Sequence, residues 1–156
     1  MLSWWSLTTL GNYEVLIGIA LAYGVVVRQF DITPLLLVIG AIALTTWLKA
    51  TLGVPRPPGS AIGGNAMPSG HALVSTVCYG TLAVVEDRGL GPRTLVASGL
   101  VAAIAMSRVV IGVHYVADVV VGVTIGVVLV VAGVAARRRL TAVDALPMAH
   151  NAEGSP

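Results

Sequence analysis

From residue 94 to residue 136 the chain is almost unbroken hydrocarbon, with Arg108 and Asp118 its only charged residues. A helix crosses a bilayer with about 20 apolar residues, so this stretch is too long for one crossing. A turn must divide it, and Gly112 followed by the polar His114 marks the place. The rest of the chain agrees. Of its 156 residues 56% are hydrophobic and 10% charged, against about 25% charged in a soluble domain. Such a chain cannot cover its surface in water, and it reads as an all-α integral membrane helix bundle. A net charge of +2, widely scattered, gives no nucleic-acid footprint. The single cysteine, Cys78, leaves no intrachain disulfide to form.

Five spans are expected. Residues 33–52 open with Thr33 as N-cap and Pro34 at the first helical position. Residues 69–85 follow Pro68, and the long stretch divides into 94–112 and 115–136. The first span, 10–27, is weaker: its uninterrupted apolar run starts only at Val15. Glu14 then lies near one interface, with Trp4 and Trp5 in the aromatic belt. The first dozen residues carry no basic region of the kind that opens a signal peptide. One domain covers residues 1–139, and 140–156 read as a short disordered cytoplasmic tail in which His150 is incidental. Gly122 and Gly126 form a GxxxG pair, read as close helix packing.

Five spans put Arg28, the Arg88 and Arg93 loop, and Arg137 to Arg139 on one face. The positive-inside rule makes that face cytoplasmic and places the N-terminus outside. The other three cations, Lys49, Arg56 and Arg108, fall toward the outer face, which that rule normally clears. With them gather Ser69, His71, Ser107, His114 and Asp118. Each has an ordinary explanation when taken alone. Lys49 can snorkel from a helix end, Arg56 can sit among headgroups, Ser69 can cap a helix, and a single histidine can be interfacial. Arg108 and Asp118 are harder to dismiss, because charges within apolar runs need a partner or an aqueous cavity. They could pair with each other.

Together they suggest anion chemistry. Lys49, Arg56 and Arg108 outweigh Asp118 by two charges, which balances a phosphate dianion. Ser69 and Gly70 open a helix, where backbone N–H groups favour phosphate, and Gly70 would let a ligand approach the backbone. His114 and Asp118 are four residues apart, stacked on one helical face if the last span starts near Tyr115. A carboxylate there holds one imidazole nitrogen and leaves the other free to attack. His71 is a second imidazole, available to protonate a leaving oxygen. The sequence has no HExxH and no carboxylate or cysteine set, so no metal or other cofactor is expected. Phosphoryl transfer through a histidine nucleophile is the simplest mechanism that uses every part.

These residues also form an ordered pattern. Lys49 with Arg56-Pro57, then Pro68-Ser69-Gly70-His71, then Ser107-Arg108 with His114 and Asp118, resembles the three-part signature of the type 2 phosphatidic acid phosphatases: KxxxxxxRP, PSGH and SRxxxxxHxxxD. All eleven specified positions are present at the right internal spacing. The resemblance implies a metal-independent membrane phosphatase acting on a lipid phosphate. It also implies roles: His114 as the nucleophile that becomes phosphohistidine, Asp118 orienting it, and His71 as general acid. Lys49, Arg56, Ser69, Gly70 and Arg108 would hold the phosphoryl oxygens. Two features depart from the family pattern. Membrane members commonly have six spans against five here, a difference that could alter the lipid groove or promote self-association into a homo-oligomer. The 58–67 connection is also short, leaving little room for a specificity lid. Related motifs occur in soluble haloperoxidases, but so small and apolar a chain does not suit that class. Expected partners are a lipid phosphate and membrane lipids. A lipid phosphomonoester such as phosphatidic acid or phosphatidylglycerophosphate leads. An isoprenoid diphosphate is the alternative substrate, transfer to a lipid or sugar hydroxyl a lesser one, and non-catalytic binding of anionic lipid the reading from another class.

Overall fold

The computed structural model describes residues 3–27, 31–86 and 91–144. Among these the secondary structure is entirely helical. In chain order it comprises α1 (Trp4–Thr9), α2 (Tyr13–Ala22, continued by a π-helical segment Tyr23–Val27), α3 (Thr33–Leu52), α4 (Gly70–Glu86), α5 (Pro92–Val110) and α6 (Val116–Asp144). Arg28, Arg88 and residues 145–156 lie outside the described residues.

α4 is the hub, packed against α2, α3, α5 and α6. Every residue from Ala72 to Cys78 is buried, as expected of a helix surrounded on all sides. Around it the large apolar side chains face outward: Leu36, Ile39 and Trp47 on α3, Leu95 and Val96 on α5, Val120, Val127 and Val131 on α6. That much exposed hydrocarbon suits acyl chains and not water. Three helices are long and apolar enough to cross a membrane: Thr33–Leu52, Pro92–Val110 and Val116–Leu140. Tyr13–Val27 and Gly70–Val84 are shorter apolar helices. The 17-residue α4 extends about 25 Å at 1.5 Å per residue, less than a bilayer core of about 30 Å. Its first residue need not reach the surface, because Ala66, Pro68, Ser69 and Gly70 are themselves buried. Irregular backbone at depth is tolerated where protein covers it.

Several expected boundaries move. The first span starts three residues later than expected, at Tyr13, and α1 ahead of it is a separate helix that stops at Thr9. Gly11 and Asn12 are poor helix formers, and α1 turns aside to lie against α5. Thr33 is the first residue of α3 and not its cap; Ile32 is the N-cap, and Asp31 Oδ1 accepts the Thr33 N–H at 3.0 Å. Asp31 Oδ2 also lies 2.8 Å from Arg137 Nη2, which ties the start of α3 to the far end of α6. The helix α6 runs to Asp144, so the tail does not begin at residue 140.

Two expectations hold. The long apolar stretch turns between α5 and α6 at Gly112, whose φ of 74° is one that L side chains avoid. Gly122 and Gly126 seat α6 against α4: a Cβ on Gly126 would lie 2.6 Å from Thr76 Cβ, and one on Gly122 2.7 Å from Ser69 O.

Candidate active site

The end of α3, the start of α4, the end of α5 and the start of α6 meet at one end of the bundle, joined there by the start of α2. Between them lies a cavity of about 340 Å³, lined by Lys49, Arg56, Gly70, His71, Arg108 and His114, with Asn12, Tyr13, Glu14 and Ile62 completing the wall.

His114 is fixed from both sides. Its Nδ1 lies 3.3 Å from Asp118 Oδ2, and its Nε2 lies 3.3 Å from Arg56 Nη1. A carboxylate on Nδ1 and a guanidinium on Nε2 select the tautomer with its proton on Nδ1 and its lone pair on Nε2. Both His114 and Asp118 are buried. Burial, followed by the charges of Arg56, Lys49 and Arg108, pushes the His114 pKa down to about 3. The imidazole is therefore neutral at ordinary pH. Its contact with Asp118 differs from the expected stacking on a helix. His114 stands ahead of α6, whose first residue is Val116. Asp118 reaches back instead, its Oδ2 also accepting the Tyr115 N–H at 2.9 Å. This is one half of a capping box, so one carboxylate both starts α6 and orients the histidine.

The cations are held by backbone and hydroxyl oxygens. Lys49 Nζ donates to Asn65 O at 2.7 Å and Ala66 O at 3.1 Å, and Asn65 Nδ2 returns a bond to Lys49 O at 2.7 Å. Arg56 Nε donates to Gly63 O at 3.0 Å and Nη1 to Val113 O at 2.7 Å. Burial pulls the Arg56 pKa below its ordinary value, and Asp118 opposes the shift. Arg108 is buried, and its Nη1 donates to Thr8 Oγ1 at 2.5 Å.

Ser69 precedes α4, and its N–H donates to Asp118 O at 2.9 Å, which joins the second motif to the third. Its hydroxyl does not cap the helix: Ser69 Oγ is buried without a protein hydrogen-bond partner, as are Arg108 Nε and Asp118 Oδ1. Gly70 also makes room for a protein group. A Cβ there would collide with the Tyr13 hydroxyl, so a phenol occupies the space beside the helix start. Ser107 faces its own helix, donating to Ile104 O at 2.6 Å.

The structure thus brings the eight expected site residues together: six line the cavity, while Ser69 and Asp118 adjoin it through the bonds above. The PAP2 superfamily model matches residues 30–142, which include all eight. The chain belongs to the PAP2 superfamily. Members of that superfamily are phosphatases. The PAP2 fold is evident directly. The chain superimposes with a TM-score of 0.77 on the crystal structure described as the first transmembrane PAP2 type phosphatidylglycerolphosphate phosphatase from Bacillus subtilis. The two are 21% identical, over 88% of this chain and 76% of that one. No similar curated protein was found.

Four residues in this PAP2 site escaped the sequence reading: Thr8, Asn12, Tyr13 and Asn65. Thr8, Asn12 and Tyr13 precede the matched region. Asn12 sits at a helix start, where asparagine is commonplace. Only its partner, His71 Nε2 at 3.0 Å, distinguishes it. Asn65, in a Gly-rich loop, reads as an ordinary turn residue.

Proposed function

We propose that the protein is a membrane-embedded phosphatase that hydrolyses a lipid phosphomonoester, such as phosphatidic acid or phosphatidylglycerophosphate, through a phosphohistidine on His114. The observation that carries this reading is the environment of His114: Nδ1 on Asp118, and Nε2 directed to Arg56 within a cavity also walled by Lys49 and Arg108. His114 Nε2 attacks phosphorus as the bond to the lipid oxygen breaks. Asp118 stabilises the positive charge that develops on the imidazole. Arg56 turns its Nη1–H from the lone pair to a phosphoryl oxygen, and Lys49, Arg108 and the first-turn amides of α4 bind the others. Ser69 Oγ and Arg108 Nε, both buried without a protein acceptor, gain one in phosphate. His71 protonates the departing lipid alkoxide. Water then attacks the phosphohistidine, returns a proton to His71, and inorganic phosphate leaves.

A cavity of about 340 Å³ holds a phosphate and its adjoining glycerol, while the acyl chains remain in the bilayer. Glu14 on the cavity wall repels a second phosphate group, which favours a monoester over a diphosphate. The Bacillus subtilis neighbour, described as a phosphatidylglycerolphosphate phosphatase, is consistent with that choice. Arg137, Arg138 and Arg139 lie near the opposite end of α6, so the positive-inside rule orients the cavity to the outer face of the cell membrane.

Detergent-purified protein assayed in EDTA should release phosphate from phosphatidic acid, and His114→Ala should reduce turnover by at least about 10³-fold. Activity that appears only on adding a divalent metal would overturn the histidine mechanism. Lipid binding without turnover would instead identify an anionic-lipid-binding protein.

A further inference from the structure

The break between α1 and α2 is seated on the site. Thr8 accepts from Arg108, Tyr13 stands against Gly70, and Gly11 and Asn12 lie along His71. The His71 contacts are the most informative. A Cβ on Gly11 would come within 3.0 Å of His71 Cδ2, and Asn12 Oδ1 lies 3.0 Å from His71 Nε2. Cδ2 and Nε2 are adjacent ring atoms, so this segment covers one edge of the imidazole. Among the described residues no hydrogen bond engages the opposite nitrogen, Nδ1, and the ring lines the cavity.

A second observation concerns Asn12 itself. It is the N-cap residue of α2, yet its side chain makes no capping hydrogen bond. Asparagine is favoured at that position because its side-chain oxygen accepts a first-turn N–H. Here the oxygen serves the histidine instead.

We infer that Asn12 is a positioning residue that holds the proton of His71 Nε2 and so makes Nδ1 the atom that exchanges a proton with substrate. The assignment rests on the reading of His71 as general acid. Asn12 Oδ1 accepts the Nε2–H whether the ring is neutral or charged, and the exchangeable proton is therefore the one on Nδ1. In the first half-reaction the Nδ1–H bond breaks and its proton passes to the leaving lipid oxygen, while the P–O bond breaks and the bond from phosphorus to His114 Nε2 forms. Nδ1 is left with a lone pair. In the second half-reaction that lone pair takes the proton of the water that attacks phosphorus. The charged and titratable groups facing His71 are Arg108 from α5, Lys49 from α3, Arg56 from the loop and His114 ahead of α6. Tyr13 of α2 packs against the ring at 6.2 Å between centroids, and Glu14 shares the cavity. Among these positive groups Asn12 supplies a neutral acceptor for the charged ring.

The test compares wild type with Asn12→Asp and Asn12→Leu, with kcat and KM measured across pH on two substrates. One is phosphatidic acid, a poor leaving group; the other is p-nitrophenyl phosphate, whose leaving group hardly needs a proton. Asn12→Leu should lower kcat/KM, which reports the first half-reaction alone, by roughly 10–100-fold on phosphatidic acid, part of the usual general-acid contribution. Its loss on p-nitrophenyl phosphate should be much smaller. Asn12→Asp, close in shape, should shift the alkaline limb of the kcat profile up by about one pH unit, because a carboxylate stabilises the charged ring. An unmoved limb in Asn12→Asp, or equal losses on both substrates in Asn12→Leu, would overturn the assignment while leaving the phosphatase reading intact. A wild-type protein that released phosphate from neither substrate would sink both. Thermal unfolding of the two variants identifies a loss due to misfolding, and Asn12→Asp then decides the question.

Discussion

At the residue scale the site depends on single atoms that serve two elements at once. Asp118 Oδ2 starts α6 through Tyr115 and orients His114, so removing it should cost both a helix cap and a tautomer. His114 allows a pH prediction with a definite sign. Its pKa lies near 6.5 in the unfolded chain and at about 3 in the folded one. As pH falls below 6.5 the unfolded state takes up the proton first, so its contribution to stability, full above that value, is lost progressively toward pH 3. Thermal unfolding in detergent between pH 7 and pH 4 should therefore fall more steeply for wild type than for His114→Gln; parallel slopes would contradict a depressed pKa. Gly70 yields a second prediction. Gly70→Ala drives a methyl into the Tyr13 hydroxyl and should destabilise by about 1–3 kcal/mol, as overpacking does. Adding Tyr13→Leu should recover part of that loss, a non-additivity measurable as a double-mutant cycle.

The helices differ in how much of their surface is committed. α4 is enclosed, and α6 reaches it only because Gly122 and Gly126 expose backbone where a side chain would collide. Gly126→Leu should lower the melting temperature and reduce activity together, since Ser69 and Asp118 are joined across the same contact. Gly40 on α3 has nothing within 4 Å of its missing Cβ. Gly40→Ala should leave activity unchanged and stability equal or slightly higher, by up to about 1 kcal/mol. If the two substitutions behaved alike, close α4–α6 packing would not be what the glycine pair provides. The opposite end of the bundle is secured by the Asp31–Arg137 ion pair, which lets α3 and α6 converge on the cavity from a common base.

Over the whole molecule, charge is segregated along the bundle axis. Lys49, Arg56 and Arg108 surround the cavity, while Arg93 opens α5 and Arg137 to Arg139 lie far along α6 at the other end. Orientation is measurable because the native Cys78 is buried and contributes little background. In intact cells a membrane-impermeant thiol reagent should label Ala61→Cys, an exposed loop position, but not Arg139→Cys. The reverse pattern would turn the cavity to the cytoplasm.

Membrane residence, helical class and the three motifs were legible in the chain because each rests on local composition or fixed spacing. An apolar run declares itself, and eleven motif positions in order are specific. The turn at Gly112 was legible too, since a glycine two residues before the polar His114 interrupts the hydrocarbon. Other features depended on contacts between residues distant in sequence. Asp118 works by reaching back to a helix start, Gly70 makes room for a phenol 57 positions earlier, and Asn12 abandons its own helix for His71, 59 positions later. A sequence shows which groups a residue carries, but not which neighbour will compete for them. For Asn12 the local cap and the distant imidazole are chemically equivalent acceptor duties, and only the packing of α1 against α5 and of α2 against α4 brings the imidazole within reach. The candidate site residues and their spacing were therefore determined by the sequence alone; which atoms hold the two histidines in place was decided by the fold.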